Sequence, residues 1–328
     1  MSFLLLFACV TDVPLGGPQN PAEVGPWPVG RETATLADDR GGTLTVDVWY
    51  PATEADEPTA YAPTVFTGLA ELWAPRVDQR FPLVAFSHGN GGIRFQSYFV
   101  TEWLASHGFV VVAPDHPNNT LFDLDMDRLE EVMQRRPGDI SRAATWAMGE
   151  FGTEDRYLVV GHSFGAWTTL AVAGGVLDPD GFRSFCEGGG EGELCDLVAT
   201  DVEVPDSPDD RAYGGVAMAP CGWYTFGEQG LSGATGIGVM GGSLDENCPM
   251  DTEVTPAVEH LGEPTSLYTV DGGGHFVFSM MCALGDIIEE CGDPAFVEAA
   301  EAQPGIRSWA TAWALRQYSG DGAYDAWL

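Results

Sequence analysis

The stretch Tyr157-Leu158-Val159-Val160-Gly161-His162-Ser163-Phe164-Gly165-Ala166-Trp167-Thr168-Thr169-Leu170-Ala171-Val172-Ala173 decides the fold. An apolar run, a Gly-x-Ser-x-Gly turn and a helix-forming run follow one another without a gap. In that strand–turn–helix context the serine stands on a sharp turn with its hydroxyl exposed above a sheet. The flanking glycines are needed because a Cβ at either position would collide with the neighbouring element. Ser163 is the candidate nucleophile. The expected class is α/β, with a mostly parallel central sheet flanked by helices.

Outward from this turn, apolar runs alternate with amphipathic ones along most of the chain. Strands are expected at 43–50, 83–87, 109–113, 157–161, 215–219, 237–241 and 266–270. Helices are expected at 96–107, 127–136, 140–150, 164–173, 253–261 and 295–318. A single large domain, 29–328, accounts for all of them, and 328 residues suffice for its core. Segment 178–211 breaks the alternation; it is rich in Gly, Asp and Glu and reads as a lid-like insertion containing Cys186 and Cys195.

A serine hydroxyl needs a base, and the base needs a third group that fixes its tautomer. Of the histidines, His275 follows a late strand through Gly272-Gly273-Gly274, a loop able to carry it to Ser163. The acid should leave the end of the preceding strand, where Asp245 comes first, with Glu246 and Asp251 as neighbours. Charge developing on a carbonyl oxygen requires two preorganised N–H donors. One is expected from Phe164, the residue after the nucleophile. The other is expected from Ser87-His88-Gly89-Asn90-Gly91-Gly92, with Asn90 preferred and Gly89 or Gly91 as alternatives.

The formal charge of −35, with Arg as the basic residue throughout and no Lys, excludes nucleic acids and anionic headgroups as partners. The acidic clusters at 123–127 and 178–181 do not match a calcium loop and read as solvated surface. No metal or organic cofactor is expected. Residues 1–9 look like the end of a secretion signal, and Leu6-Phe7-Ala8-Cys9 like a lipoprotein cleavage box with Cys9 as the lipid anchor. Residues 10–28 suit a flexible tether. Export makes disulfides the natural use of the other cysteines, with 186–195, 282–291 and 221–248 as the expected pairs.

The ordered set of motifs resembles the α/β hydrolases that comprise bacterial cutinases and polyester (PET) hydrolases with their dienelactone-hydrolase and platelet-activating-factor-acetylhydrolase relatives. The residues that carry the resemblance are Val48-Trp49-Tyr50-Pro51, Phe86-Ser87-His88-Gly89, Leu104 to Val111, Asn119-Thr120, the Ser163 turn, Gly242-Ser243-Leu244-Asp245 and Asp271 to Phe276. It implies an α/β-hydrolase fold and a Ser163–Asp245–His275 triad. It also implies that Trp223 walls the scissile ester, unless that ring simply packs under a loop. The implied activity is that of an exported, monomeric serine esterase acting on small or lipid-like esters. A cutinase-like polyester hydrolase is the sharper variant, and an inactive binding module on the same fold the remote one.

Overall fold

A strand with no polar alternation is stable where both of its faces are covered, and the centre of this molecule is built from such strands. The computed structural model describes residues 18–38, 41–62, 66–190, 192, 194–284 and 288–328. Its strands are β1 (Val29–Ala37), β2 (Thr43–Pro51), β3 (Glu71–Leu72), β4 (Leu83–Ser87), β5 (Val110–Pro114), β6 (Tyr157–His162), β7 (Ala212–Met218), β8 (Ile237–Gly242) and β9 (Thr265–Val270). They form one sheet in the order β3-β1-β2-β5-β4-β6-β7-β8-β9. β2 runs antiparallel to β1 and β5, whereas every pair from β5 to β9 is parallel.

The period of two along each strand sorts side chains between two covering layers. Val84 and Phe86 of β4 and Val111 of β5 face α1 (Tyr98–Ser106) and the final helix Ala299–Ser319, whose Ile306, Trp309 and Trp313 share that core. Leu83, Ala85, Val110 and Val112 point the other way, onto Ile140, Ala143 and Ala147 of α2 (Leu129–Phe151). Helix α3 (Phe164–Val172) lies on this second face as well, with Trp167 and Leu170 against Ala217 and Val239.

The architecture differs from the sequence reading in several places. β1 and β3 were not expected, because β1 carries Arg31, Glu32, Thr33 and Thr35 where an apolar run would be sought. Its polar groups are instead paired: Arg31 lies 3.6 Å from Asp47 of β2, and Glu32 meets Arg76. The helices expected at 127–136 and 140–150 are one helix that continues through Pro137. An interior proline costs roughly 3 kcal/mol. That cost is offset by burial on both sides of it, Val132 and Met133 in one core and Ile140 and Ala143 in another. The expected helix 253–261 begins as a wide turn, Met250–Val254, and becomes regular at Thr255–His260.

Residues 19–28, expected within a tether, are docked. The Trp103 indole donates to the Pro21 carbonyl at 2.8 Å, and the Gln19 amide donates to the His107 carbonyl at 3.1 Å. Trp27 donates its N–H to Ser106 and meets Phe81 edge-on at 5.5 Å. Cys9 and the leader-like segment lie outside the described residues. Disulfides join Cys186 to Cys195, Cys221 to Cys248 and Cys282 to Cys291, with Cα separations of 5.5, 5.2 and 4.9 Å. No described helix is long and apolar enough to cross a membrane.

Candidate active site

Parallel strands deliver loops at their carboxyl ends, and in this sheet the loops after β4, β6, β7, β8 and β9 converge there. Ser163 follows β6 directly, with φ 58° and ψ −122°. Few side chains tolerate that backbone, and it is held by Ser163 N–H to Met218 O at 2.9 Å and by the N–H of Ala166 to Ser163 O at 2.8 Å. A Cβ on Gly161 would run into the Gly165 carbonyl, and one on Gly165 into the Ser87 carbonyl. The turn and the β4 loop are thus in direct contact. A Cβ on Gly89 would stand 3.3 Å from that of Ser163.

Asp245 and His275 arrive on the loops after β8 and β9. His275 Nδ1 lies 2.8 Å from Asp245 Oδ2, and both side chains are buried. The other carboxylate oxygen, Oδ1, accepts from the N–H groups of Asn247 (2.9 Å) and Cys248 (2.8 Å), which fixes its rotation. Glu246 instead lines the neighbouring cavity, and Asp251 is exposed. Asp245, Cys248 and His275 also present ligand-type atoms within 4.8 Å of one another. The Cys248 sulfur is bonded to Cys221, so this cluster offers no thiolate to a metal.

Ser163 lines two cavities. One, of about 260 Å³, is shared with His275, Phe276, Met281 and the Gly89–Gly92 loop. The other, of about 290 Å³, is walled by Met126, Leu129, Phe164, Tyr224 and Pro249, and by Leu194 and Leu197 from the insertion. Tyr224 anchors that insertion: Phe185 stacks on its ring at 4.4 Å, and its hydroxyl accepts from Leu194 N–H at 3.1 Å. Trp223 lies elsewhere. It stacks on His260 at 5.1 Å, donates to the Thr252 carbonyl at 2.8 Å and lines a separate depression beside Phe185. Tyr224, one position along, lines the cavity that Ser163 also lines.

Of the candidate donors, Gly89 N–H is taken by Gln96 Oε1 at 3.1 Å. Among the described residues, the N–H groups of Asn90, Gly91 and Phe164 have no protein acceptor. Asn90 lines both cavities.

The remaining buried histidines are neutral supports. Burial holds His88, His116 and His162 well below the ordinary imidazole pKa. His162 donates from Nε2 to the His275 carbonyl at 3.0 Å and accepts at Nδ1 from Gln96 Nε2, also at 3.0 Å. Gln96 thereby joins the β4 loop, the Ser163 turn and the His275 loop in one network. Glu290 closes the far side, accepting from the N–H groups of His275 (2.9 Å) and Phe276 (2.6 Å); burial raises its carboxyl pKa.

With this geometry in place, similarity to known proteins becomes informative. Residues 69–123, which include the β4 loop and Asn119, match the family model of platelet-activating factor acetylhydrolase, isoform II. Cutinase cut1 of Thermobifida fusca is 30% identical over 169 residues, 51% of this chain and 48% of that protein. Cutinase 2 of Thermobifida cellulosilytica is 29% identical over 154 residues, 47% of this chain and 53% of that protein. The chain thus spans about half the length of the curated relatives it matches. A ferulic acid esterase from Streptomyces cinnamoneus superposes with a TM-score of 0.62 at 20% identity, covering 88% of this chain and 89% of its own. The chain has the α/β-hydrolase fold and resembles cutinase-like esterases.

Against that resemblance, the residues that sequence reasoning missed stand out. Gln96, Asn119, Arg136, Tyr224 and Glu290 all touch the site or its loops. One signal was available for Arg136. It falls on the same helical stripe as Leu129, Val132, Met133 and Ile140, an apolar face on which a charge demands an explanation.

Proposed function

We propose that the protein hydrolyses carboxylic esters through an acyl-enzyme on Ser163. The observation that carries this reading is the His275–Asp245 pair at 2.8 Å, with His275 and Ser163 lining one cavity. Asp245 accepts a hydrogen bond from Nδ1–H, keeps that proton on Nδ1 and so leaves the lone pair on Nε2, the nitrogen that takes the Ser163 proton as Oγ attacks the ester carbon. The carbonyl π-pair moves onto oxygen, where the N–H groups of Phe164 and Asn90 receive it. Collapse expels the alcohol, which takes the proton from Nε2. Water then repeats the sequence and releases the acid. The reaction so written calls for no metal or cofactor.

A fluorophosphonate probe tests this directly. Incubation with the intact protein should add one phosphonyl group to the peptide containing Ser163, as read by mass spectrometry. Labelling elsewhere, or none, would overturn the assignment.

The insertion bears on the substrate. Leu194 and Leu197 roof the cavity next to Phe164, which favours a small or lipid-like acyl group over an unbroken polymer chain. The cutinase relatives favour the polyester reading instead. Leu194→Ala should shift the preference toward longer acyl chains, by about fourfold in kcat/KM for each methylene newly buried. A p-nitrophenyl ester series on wild type and variant, run beside a polyester film, separates the two readings. An identical chain-length profile in the two proteins would remove Leu194 from the acyl site. The disulfides support an oxidising compartment, and with the leader-like segment they support export, with Cys9 as a candidate anchor.

A further inference from the structure

Arg136 is fully buried in the middle of α2, and every acceptor it meets is uncharged. Its Nε donates to Thr168 Oγ1 at 3.0 Å, and one terminal nitrogen donates to Asn119 Oδ1. The other donates to Ser87 Oγ at 3.1 Å and to the His88 carbonyl. Asp139, the carboxylate that offsets part of its charge, is engaged by His116 at 3.1 Å and Arg142 at 3.5 Å. Among the described residues, no carboxylate forms an ion pair with Arg136.

A buried charge whose hydrogen-bond acceptors are all neutral is costly, and an apolar side chain at this helix position would carry no such cost. Its contacts lead to the candidate oxyanion loop. Asn119, held by Arg136, donates onward to Asn90 Oδ1 at 2.6 Å. The His88 carbonyl belongs to the peptide just ahead of Gly89 and Asn90. On its other side the guanidinium carbon lies 4.5 Å from the centroid of the Phe164 ring. One cation therefore reaches Phe164 directly and Asn90 through Asn119, the two residues proposed as donors.

We propose that Arg136 is the positioning residue of the oxyanion hole: it holds Asn90 through His88 and Asn119, and its buried charge adds to the positive potential that stabilises the tetrahedral oxyanion. The inference rests on the esterase reading above, and it assigns a role that the triad and the two donors do not contain. Disturbing the fork of contacts that Arg136 makes, or setting a carboxylate against its charge, should act on the transition state and leave ground-state binding alone.

The test uses the intact protein, a soluble p-nitrophenyl ester and an aryl trifluoromethyl ketone. Ser163 Oγ adds to the ketone carbon, the π-pair becomes an oxyanion and the hydroxyl proton passes to His275. Adduct affinity therefore reports on the hole itself. Arg136→Lys should lower kcat by about 10- to 100-fold and weaken the adduct by the same factor, with KM moved by no more than about twofold. Asn119→Asp keeps the shape but sets a carboxylate against the guanidinium and loses the donation to Asn90. It should lower both quantities about tenfold, and it decides the matter alone if Arg136→Lys fails to fold. Folded variants with kcat within about twofold of wild type, or with kcat reduced while ketone affinity holds, would overturn the proposal. A wild-type protein that turns over ester yet forms no adduct would overturn it too. A wild type that does neither would sink the esterase reading beneath it.

Discussion

Replacing Ser163 by alanine should abolish ester hydrolysis, with kcat falling roughly a millionfold on a short-chain p-nitrophenyl ester. The turn itself should survive. Alanine at φ 58° carries the same backbone strain as serine, and the bonds that hold the turn are made by the main chain. An unchanged melting curve is therefore expected beside the lost activity, and KM for residual turnover should stay near the wild-type value. What remains should be the contribution of the N–H donors and of binding, which without a nucleophile still exceeds water by about 10³–10⁴. A folded alanine variant keeping even one-hundredth of the wild-type rate would place the nucleophile elsewhere.

The second large effect is expected from Asp245→Asn, and its cause is geometric. Oδ1 of residue 245 accepts from two backbone N–H groups, so in the variant the amide oxygen must occupy that side. The NH₂ is then forced to face His275 Nδ1 at the position where a carboxylate oxygen stands 2.8 Å away. Two donors cannot share that contact, so the imidazole places its proton on Nε2 and loses the lone pair proposed to take the Ser163 proton. A fall of about 10⁴ in kcat follows, with little change in KM. Loss of less than about tenfold would move the role of the acid to Glu246 or Asp251.

Which parts of this could be read from the residues alone follows from the range of the interactions. The β4, β5 and β6 runs announce themselves because strands covered on both faces have no polar positions to disguise them. The Ser163 turn is local in part, since a Cβ on Gly161 collides with the Gly165 carbonyl of the same turn, whereas Gly165 is required by Ser87 of the β4 loop. Strand β1 hides because its partners, Asp47 and Arg76, neutralise polar residues from outside its own sequence. The supports of the site hide for the same reason. Arg136 reaches a carbonyl 48 residues away, and Gln96 a histidine 66 residues away. No spacing rule encodes such pairs; they exist only once the sheet has assembled. Trp223 and Tyr224 show the finer limit. A short 3-10 helix, Trp223–Phe226, rather than a strand carries them, so no period of two tells which of the adjacent rings lines the Ser163 cavity.

The collisions around Gly161 and Gly165 also bear on anyone wishing to tailor this catalyst. Each forbidden Cβ meets a main-chain carbonyl, which has no rotamer with which to step aside. A saturation library across 161–165 would therefore lose most of its members at its two ends. Leu194 and Leu197 line the same cavity from a chemically permissive segment, and diversity is better invested there.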